Sequence, residues 1–442
     1  MDLRNISRRD FIRASATAAA GVGLTALAGC EQSQIQSMAH TSGSDKIRVG
    51  LIGCGGRGTG AMANCVKSSP GIEVYAMGDV FQDRLDGSVK SLKNYRPDKE
   101  DAYSGSGVPP EKFNVPKERQ FVGFDAFEKV IATDVDMVIL ATPPHFRPQH
   151  LKAAIEAGMH VFMEKPVAVD PVGIRSVIKS SKLADRKGLA IVAGTQRRHA
   201  KNYIELIRRV KNGDIGDIVG GQCYWNMGTL WSYKRKPGWS DMEYQLRNWL
   251  YYTWLSGDHI TEQHVHNIDV MNWAIGSNPV KCMGMGGREV RTEPVFGNIF
   301  DHFAVEFEYP NGVRVMSMCR QTKGCANNVS ERVIGTKGIM HCDDGIEGAN
   351  PFKYDGPNPN PYEEEHAHLI KSIRDGRPLN EGRRIAESTL CAIMGRMSAY
   401  TGRAMKFDWA LKASKLKLGP DKYEFGDLEM VPVAVPGQTQ LI

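Results

Sequence analysis

From Lys46 onward the chain alternates short, mostly apolar runs with longer stretches whose apolar residues recur at helical spacing. The run 47–52 (Ile-Arg-Val-Gly-Leu-Ile) predicts a buried strand, and residues 59–68 predict a helix behind it. The same alternation continues with strands over 73–78, 135–141, 160–163 and 190–193 and helices over 150–157 and 171–187. Strands spaced by helices predict an α/β unit: a doubly wound parallel sheet covered on both faces. Residues 93–120 interrupt it with polar residues and Pro97, Pro109, Pro110 and Pro116, which predict a surface excursion. Beyond residue 200 strand-like runs dominate, at 219–227, 280–285, 303–308, 314–318 and 331–334, with a turn at Pro310-Asn311-Gly312. They predict a second, α+β domain with a large open, mainly antiparallel sheet. A helix around 386–400 follows. The organisation expected is a parallel-sheet domain over 47–166, a second domain over 167–410, and a tail over 411–442 that packs on the body.

Residues 1–46 have a different character. Ser7-Arg8-Arg9-Asp10-Phe11-Ile12-Arg13 precedes a small-residue apolar stretch over 14–28, which is shorter than the ~20 residues of a spanning helix. Paired arginines before such a stretch match the bacterial twin-arginine export signal. Leu27-Ala28-Gly29-Cys30 resembles a lipobox, in which Cys30 is lipidated. Residues 1–30 are therefore expected to be a twin-arginine lipoprotein signal, and 31–46, rich in Ser and Gln, a flexible tether. This points to an exported, periplasmic or outer-membrane-anchored bacterial lipoprotein that meets the membrane only through that anchor.

Composition narrows the classes further. Lys+Arg number 56 against 50 Asp+Glu, a net charge of +6 that gives no clustered basic case for nucleic acid. Apart from Cys30 there are eight cysteines and no CxxC pair, so a zinc knuckle is not indicated and buried free thiols are expected.

The turn after the first strand reads Gly53-Cys54-Gly55-Gly56-Arg57-Gly58. Between a strand and a helix, GxGxxG is the fingerprint of a dinucleotide-binding (Rossmann) unit. Gly53 permits the tight turn, Gly55 lets a pyrophosphate approach the backbone, and Gly58 lets the helix pack on the strand. Gly56 and Arg57 complete that loop at a helix N-terminus. Asp79 ends the second strand, where an acid binds the ribose diol and repels a 2′-phosphate, so NAD is favoured over NADP. Ligands bind beyond the carboxyl ends of such strands, which brings Thr142, Pro143, His145, Glu164 and Lys165 to the same crevice.

Arg197 and His199 sit at a further strand end and are candidates for substrate or cofactor contact, as readily as for a solvated helix start. The stretch 247–254 is dense in aromatics, and Tyr252 and Trp254 are candidates to stack on a sugar. Glu262 and His266, four apart, are expected on one helix face with Asp269 continuing it. His264 and His266 form His-x-His, but residues two apart on a helix diverge, so no metal site is expected. Residues 363–368 (Glu-Glu-Glu-His-Ala-His) read as the acidic first turn of a solvated helix.

These pieces together resemble the glucose–fructose oxidoreductase / inositol dehydrogenase (Gfo/Idh/MocA) family: GCGGRG at 53–58, ATPPH at 141–145, AGMHVFMEKP at 157–166, HNIDVMNW at 266–273 and VIGTKG at 333–338. The resemblance implies that Lys165 polarises the reacting hydroxyl, that the Lys165–Pro166 bond is cis, and that His266 is the general base. Glu262 stands where the family carries Asp, one methylene longer. It also implies a sugar or glycoside substrate, NAD as cofactor, and homo-oligomers through the open sheet. An exported enzyme would hold its cofactor tightly and regenerate it in place. Three readings stay open: an NAD-dependent oxidoreductase acting on a hydroxyl of a sugar, glycoside or polyol, a redox-assisted glycosidase working through a 3-keto intermediate, and a non-catalytic, lipid-anchored sugar-binding protein. The Thr-His-Gly-Leu-Gly-Pro motif of glycoside hydrolase family 109 is absent.

Overall fold

A computed structural model describes residues 45–96 and 107–442. The expected signal, the Cys30 lipidation site and all of the tether but Asp45 and Lys46 lie outside the described residues.

The first half runs β1 (Ile47–Ile52), α1 (Gly56–Ser68), β2 (Ile72–Asp79), α2 (Gln82–Lys93), β3 (Gln120–Val122), α3 (Ala126–Ile131), β4 (Met137–Leu140), α4 (Arg147–Glu156), β5 (His160–Met163), α5 (Pro171–Lys187) and β6 (Ile191–Ala193). Its six strands form one parallel sheet in the order β3-β2-β1-β4-β5-β6. Every residue of β4, β5 and β6 is buried, because helices cover both faces. The boundary expected at Pro166 falls inside this sheet, whose last strand lies beyond it. Chain order reverses between β1 and β4, so the crevice opens where Gly53 meets Ala141.

Two glycines set that junction. A Cβ on Gly53 would stand 2.5 Å from Thr142 N, and its φ of +98° is left-handed; a Cβ on Gly58 would stand 2.0 Å from Gly53 O. The helix begins at Gly56, three residues earlier than the pattern suggested, because small residues let the first turn form directly over the loop.

The second half contains α6 (Lys201–Lys211), β7 (Ile218–Met227), α7 (Asp241–Arg247), α8 (Thr253–Ser256), α9 (His259–Glu262), α10 (Val265–Ile275), β8 (Lys281–Gly287), β9 (His302–Glu308), β10 (Arg314–Gln321), β11 (Asn328–Gly335), β12 (Gly338–His341), β13 (Gly345–Gly348), β14 (Phe352–Lys353), α11 (Pro361–Arg374), α12 (Gly382–Thr401), β15 (Met405–Lys406) and α13 (Phe407–Lys412). Nine strands form an open sheet in the order β14-β13-β12-β11-β7-β10-β9-β8-β15. It is mixed: β7 and β10 pair in parallel, and the other pairs are antiparallel. One face is buried by Cys223, Phe303, Val305, Val315 and Val333, while Met283, Met285 and Met318 are exposed on the other.

Helix α12 packs on α5 on one side and on β8 on the other, and is buried along nearly its whole length. Its Arg396 is fully buried and donates to Gly257 O (2.9 Å) and Val169 O (2.8 Å), stitching the halves together. After α13, Leu416, Val433, Ala434 and Leu441 pack against the main core. The expected solvated helix start at 363–368 is corrected: in α11, Glu365 and His366 are buried, with His366 4.0 Å from the Phe162 ring. This helix lies on the parallel sheet, so its acidic run has one wet face and one dry face. All eight cysteines among the described residues are free, and seven are buried.

Gly58→Ala is expected to cost about 1–3 kcal/mol of stability, because its Cβ meets backbone that cannot retreat. Gly55→Ala, whose Cβ meets nothing within 4 Å, should stay within about 0.5 kcal/mol. Denaturant unfolding of the two variants beside the wild type checks both.

Candidate functional site

A cavity of about 430 Å³ opens over the carboxyl ends of β1, β2 and β4. Gly53, Gly55, Gly56, Arg57, Gly58, Asp79, Thr142 and Pro143 line it, as the sequence suggested. Gly55 and Gly56 face open space, with no heavy atom within 4 Å of a Cβ there. This bare backbone at the N-terminus of α1 fits a pyrophosphate. Asp79 accepts from Cys54 N (2.6 Å) and Phe81 N (2.9 Å), so it braces the glycine loop from below. Burial, opposed by those two bonds, raises its pKa. Arg84 lines the cavity beside it.

Three residues expected in this crevice take other posts. His145 hydrogen-bonds Tyr423 (Nε2 to OH, 2.8 Å) and packs edge-on against Trp254. Burial, then the Lys417 charge, depresses its pKa to about 4. Glu164 forms an ion pair with Arg57 (3.0 Å) and presses on Gly194 rather than on the cavity. Lys165 follows it, across a cis bond to Pro166.

Lys165 Nζ donates to Glu262 O (2.5 Å) and to Glu262 Oε1 (3.1 Å). This contact joins the end of β5 to the second half. Glu262 and His266 are not on one continuous helix: α9 ends at Glu262 and α10 starts at Val265, with Gln263 and His264 between. The segment turns sharply at Asp258, the only non-glycine positive φ among the described residues (φ +69°). The buried Asp258 carboxylate holds that turn, accepting from His259 N, Phe300 N and Tyr400 OH.

His266 stacks on Trp225 (centroids 5.8 Å apart, 20° between planes), and its buried Nδ1 has no partner. Burial first, then the charges of Lys165 and Arg197, hold its pKa well below 6.5. It is a neutral imidazole near neutral pH, able to accept a proton. His264 turns elsewhere, towards Ser317 (2.7 Å) and Cys223. Among the described residues no group of three His, Cys, Asp or Glu side chains is placed to hold a metal ion.

Arg197 comes to this centre. It pairs with Glu331, which also accepts from Tyr203, and lies 5.6 Å over the Trp225 ring. His199 does not: it is buried against His368 (Nδ1 to Nδ1, 2.7 Å) and 3.8 Å from Glu381. Tyr252 and Trp254 are also corrected. Both are buried in a cluster with Phe81, Phe146 and Leu246, and Trp254 Nε1 donates to Gln245. The aromatic that faces the histidine is Trp225, and its place two residues beyond buried Cys223 on β7, on the same strand face, was its available signal. Trp231, Tyr233, Leu246, Arg247 and Trp249 line the far wall of the cavity. Arg247 and Trp249 fall in the aromatic-dense stretch, but nothing in the sequence placed any of the five at this cavity, because they come from the other half of the chain.

Fold and site define a dinucleotide-binding α/β protein with a second, open-sheet domain. Residues 47–195 match the family model for the oxidoreductase family with an NAD-binding Rossmann fold, and 203–341 match the GFO/IDH/MocA C-terminal domain, together more than half the chain. The chain belongs to the Gfo/Idh/MocA oxidoreductase family. It is 27% identical over 243 residues to 2,7-anhydro-N-acetylneuraminate hydratase of Escherichia coli, covering 53% of this chain and 59% of that protein. It is 24% identical over 234 residues to inositol 2-dehydrogenase of Salmonella typhimurium, covering 52% and 55%. A glycosyl hydrolase family 109 protein of Streptomyces coelicolor is 25% identical over 176 residues, covering 40% and 33%. The chain thus spans little more than half the length of the first two and a third of the last. In solved structures the fold matches aldose-aldose oxidoreductase of Caulobacter crescentus (TM-score 0.62, 18% identity, 82% of this chain and 99% of that one). It also matches an Agrobacterium radiobacter oxidoreductase in complex with NAD+, L-tartaric acid and magnesium (TM-score 0.59, 14% identity, 82% and 98%).

His150 of α4 closes the cavity floor and contacts Thr142 Oγ1 (3.2 Å). Burial, then the Arg147 charge, pushes its pKa down to about 3. An unfolded chain protonates it below about pH 6.5, so its contribution to stability is complete above that pH. The contribution is lost as pH falls from there towards about 3. Between about pH 7 and pH 5, His150→Gln should therefore lose about 2 kcal/mol less stability than the wild type. Denaturant midpoints at the two pH values measure this.

Proposed function

We propose that this protein is an NAD-dependent oxidoreductase acting on a hydroxyl of a sugar, glycoside or related polyol, with its cofactor held through the cycle. The observation that carries the reading is Lys165, gripped by Glu262 at the end of β5 and close enough to His266, whose buried Nδ1 has no partner, for its charge to depress that imidazole's pKa. Bound NAD would supply a two-electron acceptor for the carbinol carbon. The glycine loop and Arg57 would hold its pyrophosphate, and Asp79 its ribose, which favours NAD over NADP. Lys165 donates a hydrogen bond to the reacting oxygen and favours its deprotonated form. His266 accepts the hydroxyl proton at a ring nitrogen. Glu262 orients the ammonium, and Trp225 and Arg197 fix the imidazole and wall off water.

A second reading is favoured by the relatives. Two of them are named as a hydratase and as a family 109 glycosyl hydrolase, which supports a cycle in which the oxidised sugar eliminates a substituent and is then reduced again. The same residues serve: once the carbinol is a ketone, the neighbouring C–H is acidic, and His266, after giving up the hydroxyl proton, can take that one while the Lys165 ammonium stays on the ketone oxygen. The third reading, a non-catalytic sugar-binding protein, is disfavoured by the intact glycine loop and the assembled Lys165–Glu262–His266 group. The twin-arginine signal and Cys30 lipidation are the basis for proposing an exported, lipid-anchored location, and the exposed methionines of the open sheet for proposing a homo-oligomer.

The test is an absorbance scan of protein purified without added cofactor, repeated with a panel of sugars and aryl glycosides. A lasting reduced-nicotinamide band marks net oxidation, and aglycone release without one marks the elimination cycle. If no dinucleotide is carried or bound, the proposal is wrong. Lys165→Ala and His266→Asn are each expected to slow turnover by ~10²–10⁴-fold while dinucleotide affinity stays within a few-fold. Comparing kcat with a separate binding titration checks this.

A further inference from the structure

The far wall of the cofactor cavity comes from the second half of the chain. Trp231, Tyr233 and Trp249 line the cavity together with Asp79 and Phe81 of the nucleotide domain. They belong to an arm, residues 228–252, that leaves the open sheet and crosses to the nucleotide domain. One residue latches it there: Arg247 donates through both Nη atoms to Asp83 of α2 (3.0 Å each), and its guanidinium lies 3.9 Å over the Phe81 ring.

A second segment lies behind the first. After α13 the chain returns over the same corner as a strap. Phe425 stacks on Phe81 (5.9 Å) and packs on Phe124 (5.2 Å). Tyr423 bonds His145, and Leu418 N donates to Asp170 (2.8 Å). The strap is also tied to the arm: Met242 N donates to Gly426 O (3.1 Å), and Gln245 Nε2 donates to Leu428 O (2.8 Å). Phe81 and Phe124, both cavity-lining, are thus clamped from outside by the strap while the arm covers the cavity.

We propose that the arm and the strap form the second half of the dinucleotide site, gripping the adenosine end and making its release slow. The chemistry suits a purine nucleoside. Flat rings and a guanidinium offer stacking faces to the base, while the glycine loop takes the phosphates at the other end. Release then requires the Arg247–Asp83 latch and the strap's aromatic contacts to open together. The inference rests on the NAD reading, and it explains how a cofactor could stay resident through many cycles.

The probe is NADH, followed by its fluorescence as it leaves the whole protein during a chase with excess NAD. Arg247→Met, Phe425→Ala and the milder Tyr423→Phe are compared with wild type, with thermal unfolding confirming that each is folded. Release about ten-fold faster in Phe425→Ala is expected, since one aromatic contact of this kind is worth about that factor. Tyr423→Phe, which keeps the ring and deletes one hydroxyl, should fall between it and the wild type. Equal release rates in wild type and folded variants would overturn the grip while leaving the oxidoreductase reading intact. No NADH binding by the wild type would overturn both.

Discussion

The half-buried ammonium of Lys165, at the end of β5, takes its oxygen partners from the other half of the chain. Glu262 supplies both a carbonyl and a carboxylate oxygen to it. Moving either half breaks that contact and leaves a charge uncompensated. The domain interface is therefore registered at the point where chemistry takes place. Helix α12 with its buried Arg396, and Asp258 with its left-handed backbone, hold the flanking elements so that the contact forms.

Around this link the electrostatics are sorted. Carboxylates near it are tied to cations: Glu164 to Arg57, Glu331 to Arg197, Asp269 to Arg198 and Arg384. Burial lowers the pKa of His264 and His266, which leaves His266 a proton acceptor instead of a fixed charge. Glu365 is the exception. It is buried beside Glu164, with its pKa raised well above 4.5 by burial and then by that neighbour, so it sits as a neutral acid under the glycine-loop arginine. Charge at the site is thus carried by groups that are held, and proton transfer is left to the group that is not.

Much of this was legible in the chain. A strand, GxGxxG and a helix place backbone N–H groups at a cavity by local geometry alone, and Gly53, Gly55, Gly58, Asp79 and Thr142 all line it. Helix α5 has the bounds its pattern suggested, because Asp170 caps it, Pro171 starts it and Gly188 ends it in a left-handed turn. The parallel β7–β10 pair was not legible, since strand pairing depends on chain paths and not on the strands' own residues. Tyr252 and Trp254 show the same limit: an aromatic-rich run reads alike whether it faces a sugar or a core.

What the sequence determined by itself is therefore short-range: the alternation of strand and helix, the glycine turn, the capped helices and the residue types suited to hydride and proton chemistry. Tertiary structure decided which of those residues meet. It broke the helix between Glu262 and His266, turned His264 to Ser317 and His199 to His368, and set Trp225 against the imidazole. It also brought residues 228–252 and 418–428 over a cavity whose glycine loop lies more than a hundred residues earlier. Local geometry is encoded within a few neighbours, whereas burial, pairing and the neutral state of a histidine exist only once distant segments have excluded water together.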